Sequence, residues 1–245
     1  MKGLFSRPQR PASVRMRTRS ITIDDRPVLL TVRRNARAKR MRLRVDFETA
    51  GIILTLPQRA TEEHGFSFVL SQTEWIAERL DSLPPRVPFG PDASVPLLGQ
   101  DHPIRHRPGD GLRVRVEKGE IIVPGCVEAV PRRVELWLRN EAGRVLTERA
   151  RAHAARLGRP VGRITVRDTR TRWGSCSAAG NLSFCWRLVM TPAHVLDYVA
   201  AHEVAHLEVR NHGPAFWRTV AALTDDAEAA RQWLLRHGPG LARYG

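Results

Sequence analysis

The sequence predicts an α+β protein, with a β-rich N-terminal half carrying one helix and a helix-rich half after it. Three observations lead there. Met41-Arg42-Leu43-Arg44-Val45 alternates apolar and charged residues, the period-2 signature of a half-buried strand. From Thr61, and again along residues 129–157 and 191–207, apolar residues recur at helical spacing. The chain has 245 residues, of which 42% are hydrophobic and 27% charged, enough to bury a sizeable core.

Taken in order, residues 1–18 are rich in Arg, Pro and Ser without periodicity and read as a flexible basic arm. Four β-like segments follow, Ser20–Ile23, Val28–Arg33, Arg40–Phe47 and Gly51–Leu56. One amphipathic helix is expected from Thr61 to about Leu80, ending before Leu83-Pro84-Pro85 and a proline-rich connector that reaches Pro96. Leu112–Val116 and Glu120–Val123 read as two strands joined by a Glu117-Lys118-Gly119 turn. A long helix is expected from about Ala129 to Leu157, tolerating Gly143 and stopped by Gly158-Arg159-Pro160. The segment Trp173–Leu188 reads as a hairpin around Ala178-Ala179-Gly180-Asn181. The domain division expected is 1–18 arm, 19–125 β-rich domain and 126–245 helical domain.

Charge and cysteines narrow the classes. Forty basic against 25 acidic residues give a net charge of +15, and residues 1–45 hold fourteen basic and two acidic side chains. A surplus of that kind attracts polyanions, so the alternative reading is a basic nucleic-acid-binding protein whose metal site is structural or silent, with weak contact through the basic N-terminal segment and Arg42 and Arg44 as its phosphate-facing row. All but three of the forty are arginine, however, a skew that genome-wide codon bias also produces. No apolar run is long enough to span a membrane or to serve as a signal peptide. Three cysteines without a C-x-x-C pair do not make a disulfide scaffold, and a cytoplasmic setting is expected.

Chemistry concentrates between Thr191 and Trp217. Thr191-Pro192 reads as a helix start, with the hydroxyl as N-cap. On that helix lies His202-Glu203-Val204-Ala205-His206. The i, i+4 spacing stacks both imidazoles on one face, where they can share a Zn²⁺. Glu203 lies about 100° around the helix from His202, in reach of a metal-activated water without being a ligand. His212 is the candidate third ligand, provided the helix ends. Asn211 in the left-handed conformation and Pro214 would end it. Glu208 and Cys176 are the rival ligands, although Glu208 falls on the wrong side of a continuing helix. His153, His194 and His237 read as caps or surface residues. Three imidazoles with an open fourth position suit a catalytic rather than a structural zinc site.

Trp173-Gly174-Ser175-Cys176-Ser177, Trp186-Arg187-Leu188, Tyr198 to Leu207, and Asn211-His212-Gly213-Pro214-Ala215-Phe216-Trp217 together resemble the YgjP-like family of zinc metallopeptidases. That family is distantly related to SprT-type proteases within the zincin group. The resemblance covers about residues 20–237 and implies a zincin-like metallopeptidase half. By it, His202, His206 and His212 would hold one Zn²⁺, Glu203 would be the catalytic base, and peptides or proteins would be the substrates. Cys185 stands where the family usually has asparagine before W-R-L. Arg172, Arg187 and Tyr198 are the candidate donors to the carbonyl oxygen.

Overall fold

The computed structural model describes residues 16–169 and 172–245. Of the expected basic arm, residues 1–15 lie outside the described residues, while 16–18 already belong to strand β1 (Met16–Ile23). The architecture is α+β, and the chain divides into two compact units, one ending at Pro84 and one beginning at Pro85. The change of unit thus falls inside the proline-rich connector, whereas the sequence suggests a boundary at 125.

The first unit is a four-stranded sheet in the order β1-β2-β4-β3, with β2 Arg26–Asn35, β3 Arg42–Asp46 and β4 Gly51–Pro57. Asp24 (φ 46°) and Asp25 (φ 58°) turn β1 into β2, the paired positive φ of a tight hairpin. Alternation places Leu30, Ile52, Leu54 and Leu56 in the core of this unit with Val69 and Ile76. The expected single helix is two, α1 (Glu62–Leu70) and α2 (Thr73–Asp81). Ser71 causes the break: its hydroxyl donates to the Phe68 carbonyl at 2.9 Å, and Gln72 leaves helical geometry at φ −118°, ψ 18°.

Among its described residues the second unit contains two further sheets and four α-helices. At and just beyond the end of the connector stand two strands that the sequence did not suggest, β5 (Ser94–Leu97) and β6 (Gln100–His106), in a sheet ordered β5-β6-β8-β7. Here β7 is Arg115–Glu117 and β8 is Glu120–Val123. Pro96 is tolerated because β5 is an edge strand. Leu98 (φ 50°) and Gly99 (φ 83°) form the β5–β6 turn, and Lys118 (φ 51°) and Gly119 (φ 79°) the expected β7–β8 turn. The seventh strand is shorter than expected, with Leu112 outside it and 89% exposed.

Helix α3 (Val130–Leu157) runs as the sequence indicates and ends on Gly158 in the left-handed conformation, φ 65°. Its stripe Val134, Leu138, Ala142, Leu146, Ala150 and Ala154 is buried, each large side chain contributing about 1.5–3 kcal/mol. Gly143 meets little, since an added Cβ would touch only Val166 Cγ2 at 3.9 Å. Residues of β5, β6 and β8 share one core with α3, including Val95, Ile104 and Ile121. That shared core is why the unit begins at Pro85.

The third sheet has the order β10-β11-β9, with β9 Ile164–Arg167, β10 Gly174–Cys176 and β11 Leu182–Cys185. The antiparallel β10–β11 hairpin is the expected one, and the parallel strand β9 is an addition. A 3₁₀ turn, Trp186–Met190, leads into α4 (Ala193–Ala205), followed by α5 (Pro214–Leu223) and α6 (Ala227–Leu241).

The β5–β6 turn supports the start of α4: the Leu98 amide donates to the Val189 carbonyl at 2.7 Å, and a Cβ on Gly99 would lie 2.9 Å from Pro192 Cα. Gly99→Ala therefore faces both a positive φ and a backbone clash. It is expected to cost at least about 1 kcal/mol of stability in denaturant unfolding. Gly109→Ala, with nothing within 4 Å, should leave the midpoint unchanged.

Candidate metal centre and active site

Helix α4 begins differently from the sequence reading. Thr191 is not its N-cap; the hydroxyl, fully buried, donates to the Leu188 carbonyl at 2.8 Å and closes the preceding 3₁₀ turn. Pro192 occupies the cap position without a side-chain hydrogen bond. The helix is buried around most of its circumference by Val195, Leu196, Val199, Val204 and others, leaving His202 and His206 on a half-buried stripe.

The helix ends at Ala205, with His206 as its C-cap, five residues earlier than a cap at Asn211 requires. The Val209 amide still bonds to the Ala205 carbonyl at 3.0 Å, so the chain turns tightly before it moves away. Asn211 is not left-handed. Its Oδ1 instead accepts from the Gly213 amide at 3.2 Å, and Pro214 starts α5. The outcome for His212 is a return toward α4, with its Nε2 3.2 Å from His202 Nε2.

One ring nitrogen from each of His202, His206 and His212 can be chosen so that all three lie within 4.8 Å of one another, a group able to hold a metal ion. Phe216, fully buried, forms the floor. It stacks on His206 at 4.5 Å between centroids and meets His202 and His212 edge-on at 4.9 and 4.7 Å. This supporting ring was not singled out as functional by sequence reasoning. Its signal was its place four residues beyond His212, in the first turn of α5.

Outer hydrogen bonds set the imidazole tautomers. His206 Nδ1–H donates to the Val209 carbonyl at 3.0 Å, which leaves Nε2 as a free acceptor. His202 Nδ1 lies 3.4 Å from the Tyr198 hydroxyl, on the side of the ring away from His212. Burial, reinforced by the neighbouring His206 and His212, lowers the His202 pKa to about 4. Burial also lowers that of His206. Both rings are therefore neutral at neutral pH, the form that binds metal.

Glu203 is 6% exposed, and burial raises its pKa to about 7 against the partial opposition of Arg172. Gly174 of β10 makes its position tenable, because a Cβ there would sit 2.5 Å from Glu203 Cγ and Oε1. The histidines and Glu203 open into a cavity of about 600 Å³ walled by β10, α4 and α6. A buried carboxylate of raised pKa in the same cavity as the neutral imidazoles of His202 and His206 can exchange protons with a bound water or substrate.

The rival ligands part company. Glu208 is exposed and does not line the cavity, whereas Cys176 does. Its thiol is pushed up by burial, with Glu203 adding and Arg210 opposing, and it stands outside the three-nitrogen group. Arg172 and Tyr198 line the cavity, but Arg187 does not; it is buried, paired with Asp168 and over the Trp186 ring. Cys185 donates its S–H to the Thr169 carbonyl at 3.4 Å, a main-chain contact in place of whatever an asparagine would make. His153, expected at the surface or as a cap, is 4% exposed and bonded to Asp197 at 3.0 Å, tying α3 to α4.

Comparison with known proteins supplies the class. A metallopeptidase domain, described as YgjP-like, matches residues 39–237. The chain belongs to the YgjP-like metallopeptidase family. No curated protein matches it. Among solved structures, the metallopeptidase zymogen abylysin from Pyrococcus abyssi is similar at 20% identity and a TM-score of 0.34, covering 37% of this chain and 93% of that one. No helix among the described residues is long and apolar enough to cross a membrane.

The contact between Gly174 and Glu203 is directly testable. In metal-free protein, carbon-13 titration of the side-chain carboxyl should give Glu203 a midpoint near 7. Gly174→Ala drives the carboxylate out of its recess, and the midpoint should fall toward the ordinary 4.5. An unchanged midpoint in the variant would contradict the recess.

Proposed function

We propose that this metallopeptidase is a zinc-dependent enzyme in which His202, His206 and His212 hold one Zn²⁺ and Glu203 is the general base. The observation that carries the reading is the convergence of three imidazole nitrogens, within 4.8 Å of one another, beside a buried carboxylate. The donor set fits the ion. Two nitrogens on a tetrahedral zinc at about 2.0–2.1 Å stand about 3.3 Å apart, close to the 3.2 Å between His202 and His212 Nε2. All-nitrogen ligation with one position left open is typical of catalytic rather than structural zinc.

When bound, zinc supplies a Lewis acid that acidifies water and polarises the peptide carbonyl. The chain does the rest. Glu203, held close to neutrality in its pKa, takes the proton of the attacking water and later delivers it to the leaving amine. Strand β10 is the edge of its sheet and borders the cavity through Gly174, Ser175 and Cys176, so an extended peptide can pair along it. Substrates are peptides or proteins on this reading. A cytoplasmic setting belongs to it too, since Cys126, Cys176 and Cys185 stand as free thiols.

Glu203→Gln keeps the size of the side chain and removes its basicity. Elemental analysis should find zinc content equal to that of the unaltered protein, with peptide hydrolysis reduced about 10²–10⁴-fold. Full hydrolysis by this variant would remove Glu203 from the mechanism.

A further inference from the structure

The cavity has chemistry that neither metal binding nor proton transfer uses. One wall is a face of α6, where Arg231, Leu234, Leu235 and Gly238 recur at i, i+3, i+4 and i+7. Gly238 lies so close to Trp173 that a Cβ would be 2.8 Å from Cζ2, which brings α6 against the start of β10. Leu234 and Leu235 then form an apolar lip, and Leu235 is 69% exposed. Side by side at the cavity, the two leucines offer an apolar ligand a surface to cover.

The charge of the same cavity is one-sided. Arg172, Arg210 and Arg231 line it, and its single carboxylate is the buried Glu203. Two of these arginines are engaged elsewhere. Arg210 donates to the Ser177 and Ala178 carbonyls at 2.7 and 2.9 Å, while Arg231 pairs with Glu228 at 2.8 Å and lies over Trp217. Arg172 is exposed and forms no ion pair among the described residues. Its side chain lines the same cavity as Glu203.

We propose that the cavity selects peptides bearing an acidic side chain next to an apolar one at the cleavage site. The carboxylate pairs with Arg172, and the apolar side chain lies on Leu234 and Leu235. A basic side chain in place of the acidic one meets the charges of Arg172 and Arg210, which no carboxylate among the described residues compensates, and is repelled. This inference rests on the peptidase reading of the site, and Arg172 is its specificity-determining residue. An exposed ion pair alone contributes little, but attraction for one charge and repulsion of the other add in the ratio of rates.

The test uses three otherwise identical fluorogenic peptides in which a central leucine is flanked by Glu, Gln or Lys. With zinc-loaded full-length protein at low ionic strength, kcat/KM for the Glu peptide should exceed that for the Lys peptide about tenfold or more. The advantage should shrink as salt rises. Arg172→Glu should invert the Glu-to-Lys ratio, whatever its overall rate. The same peptides are titrated calorimetrically onto zinc-loaded Glu203→Gln, which reads selection without turnover. Tighter binding of the Glu peptide there, with no cleavage by the unaltered protein, would uphold the selection and overturn the hydrolytic reading. Equal binding of all three peptides, binding of none, or a Glu preference that survives Arg172→Glu would overturn the proposal.

Discussion

Polar side chains on a helix that is buried around most of its circumference need partners on the one stripe left open, and α4 is built around that requirement. Val195, Leu196, Val199, Ala201 and Val204 commit the helix to the core, so His202, Glu203 and His206 cannot simply face bulk water. Each partner comes from a different element. Tyr198 lies one turn back on α4, the Val209 carbonyl in the turn after it, Phe216 on α5 and the Cβ-free Gly174 on β10. The same burial makes the imidazoles neutral and Glu203 hard to ionise. Packing and electrostatics at this site are therefore two results of a single placement.

The surrounding layers hold that placement. The β5–β6 turn touches the entry to α4 at Pro192, and His153 on α3 reaches Asp197 on its far side. Arg210 joins the turn that carries His212 to the tip of the β10–β11 hairpin through the Ser177 and Ala178 carbonyls. Strand β10 is thus held against α4 by the fit of Gly174 to Glu203, and the tip of its hairpin is held to the histidine turn by Arg210.

Much of this was legible in the sequence where periodicity and local chemistry agree. The alternation in β3, the apolar stripe of α3 with its Gly158 stop, the Lys118-Gly119 turn and the i, i+4 pair of histidines all express short-range geometry. Tertiary context decided the rest. Prolines conceal β5 and β6, because only the edge position of β5 makes Pro96 acceptable in a strand. Strand β9 is four residues whose pairing with β11 is parallel and long-range. Ser71 and Thr191 turn their hydroxyls back on preceding carbonyls, a choice that competes evenly with helix continuation or capping. His212 was identified as a candidate from its spacing, but the device that returns it is different. The helix stops at Ala205, and Asn211 caps the following turn with its side chain rather than adopting positive φ.

The most direct measurement of the central claim is zinc content together with zinc-edge X-ray absorption, on the purified protein and on His212→Ala. The account predicts about one zinc per chain, held by imidazole nitrogens at about 2.0–2.1 Å without a sulfur shell near 2.3 Å, and clearly reduced occupancy in the variant. A sulfur shell would bring Cys176 into the site, and equal zinc in both proteins would remove His212 from it. Either result would contradict the three-histidine centre on which the proposed chemistry depends.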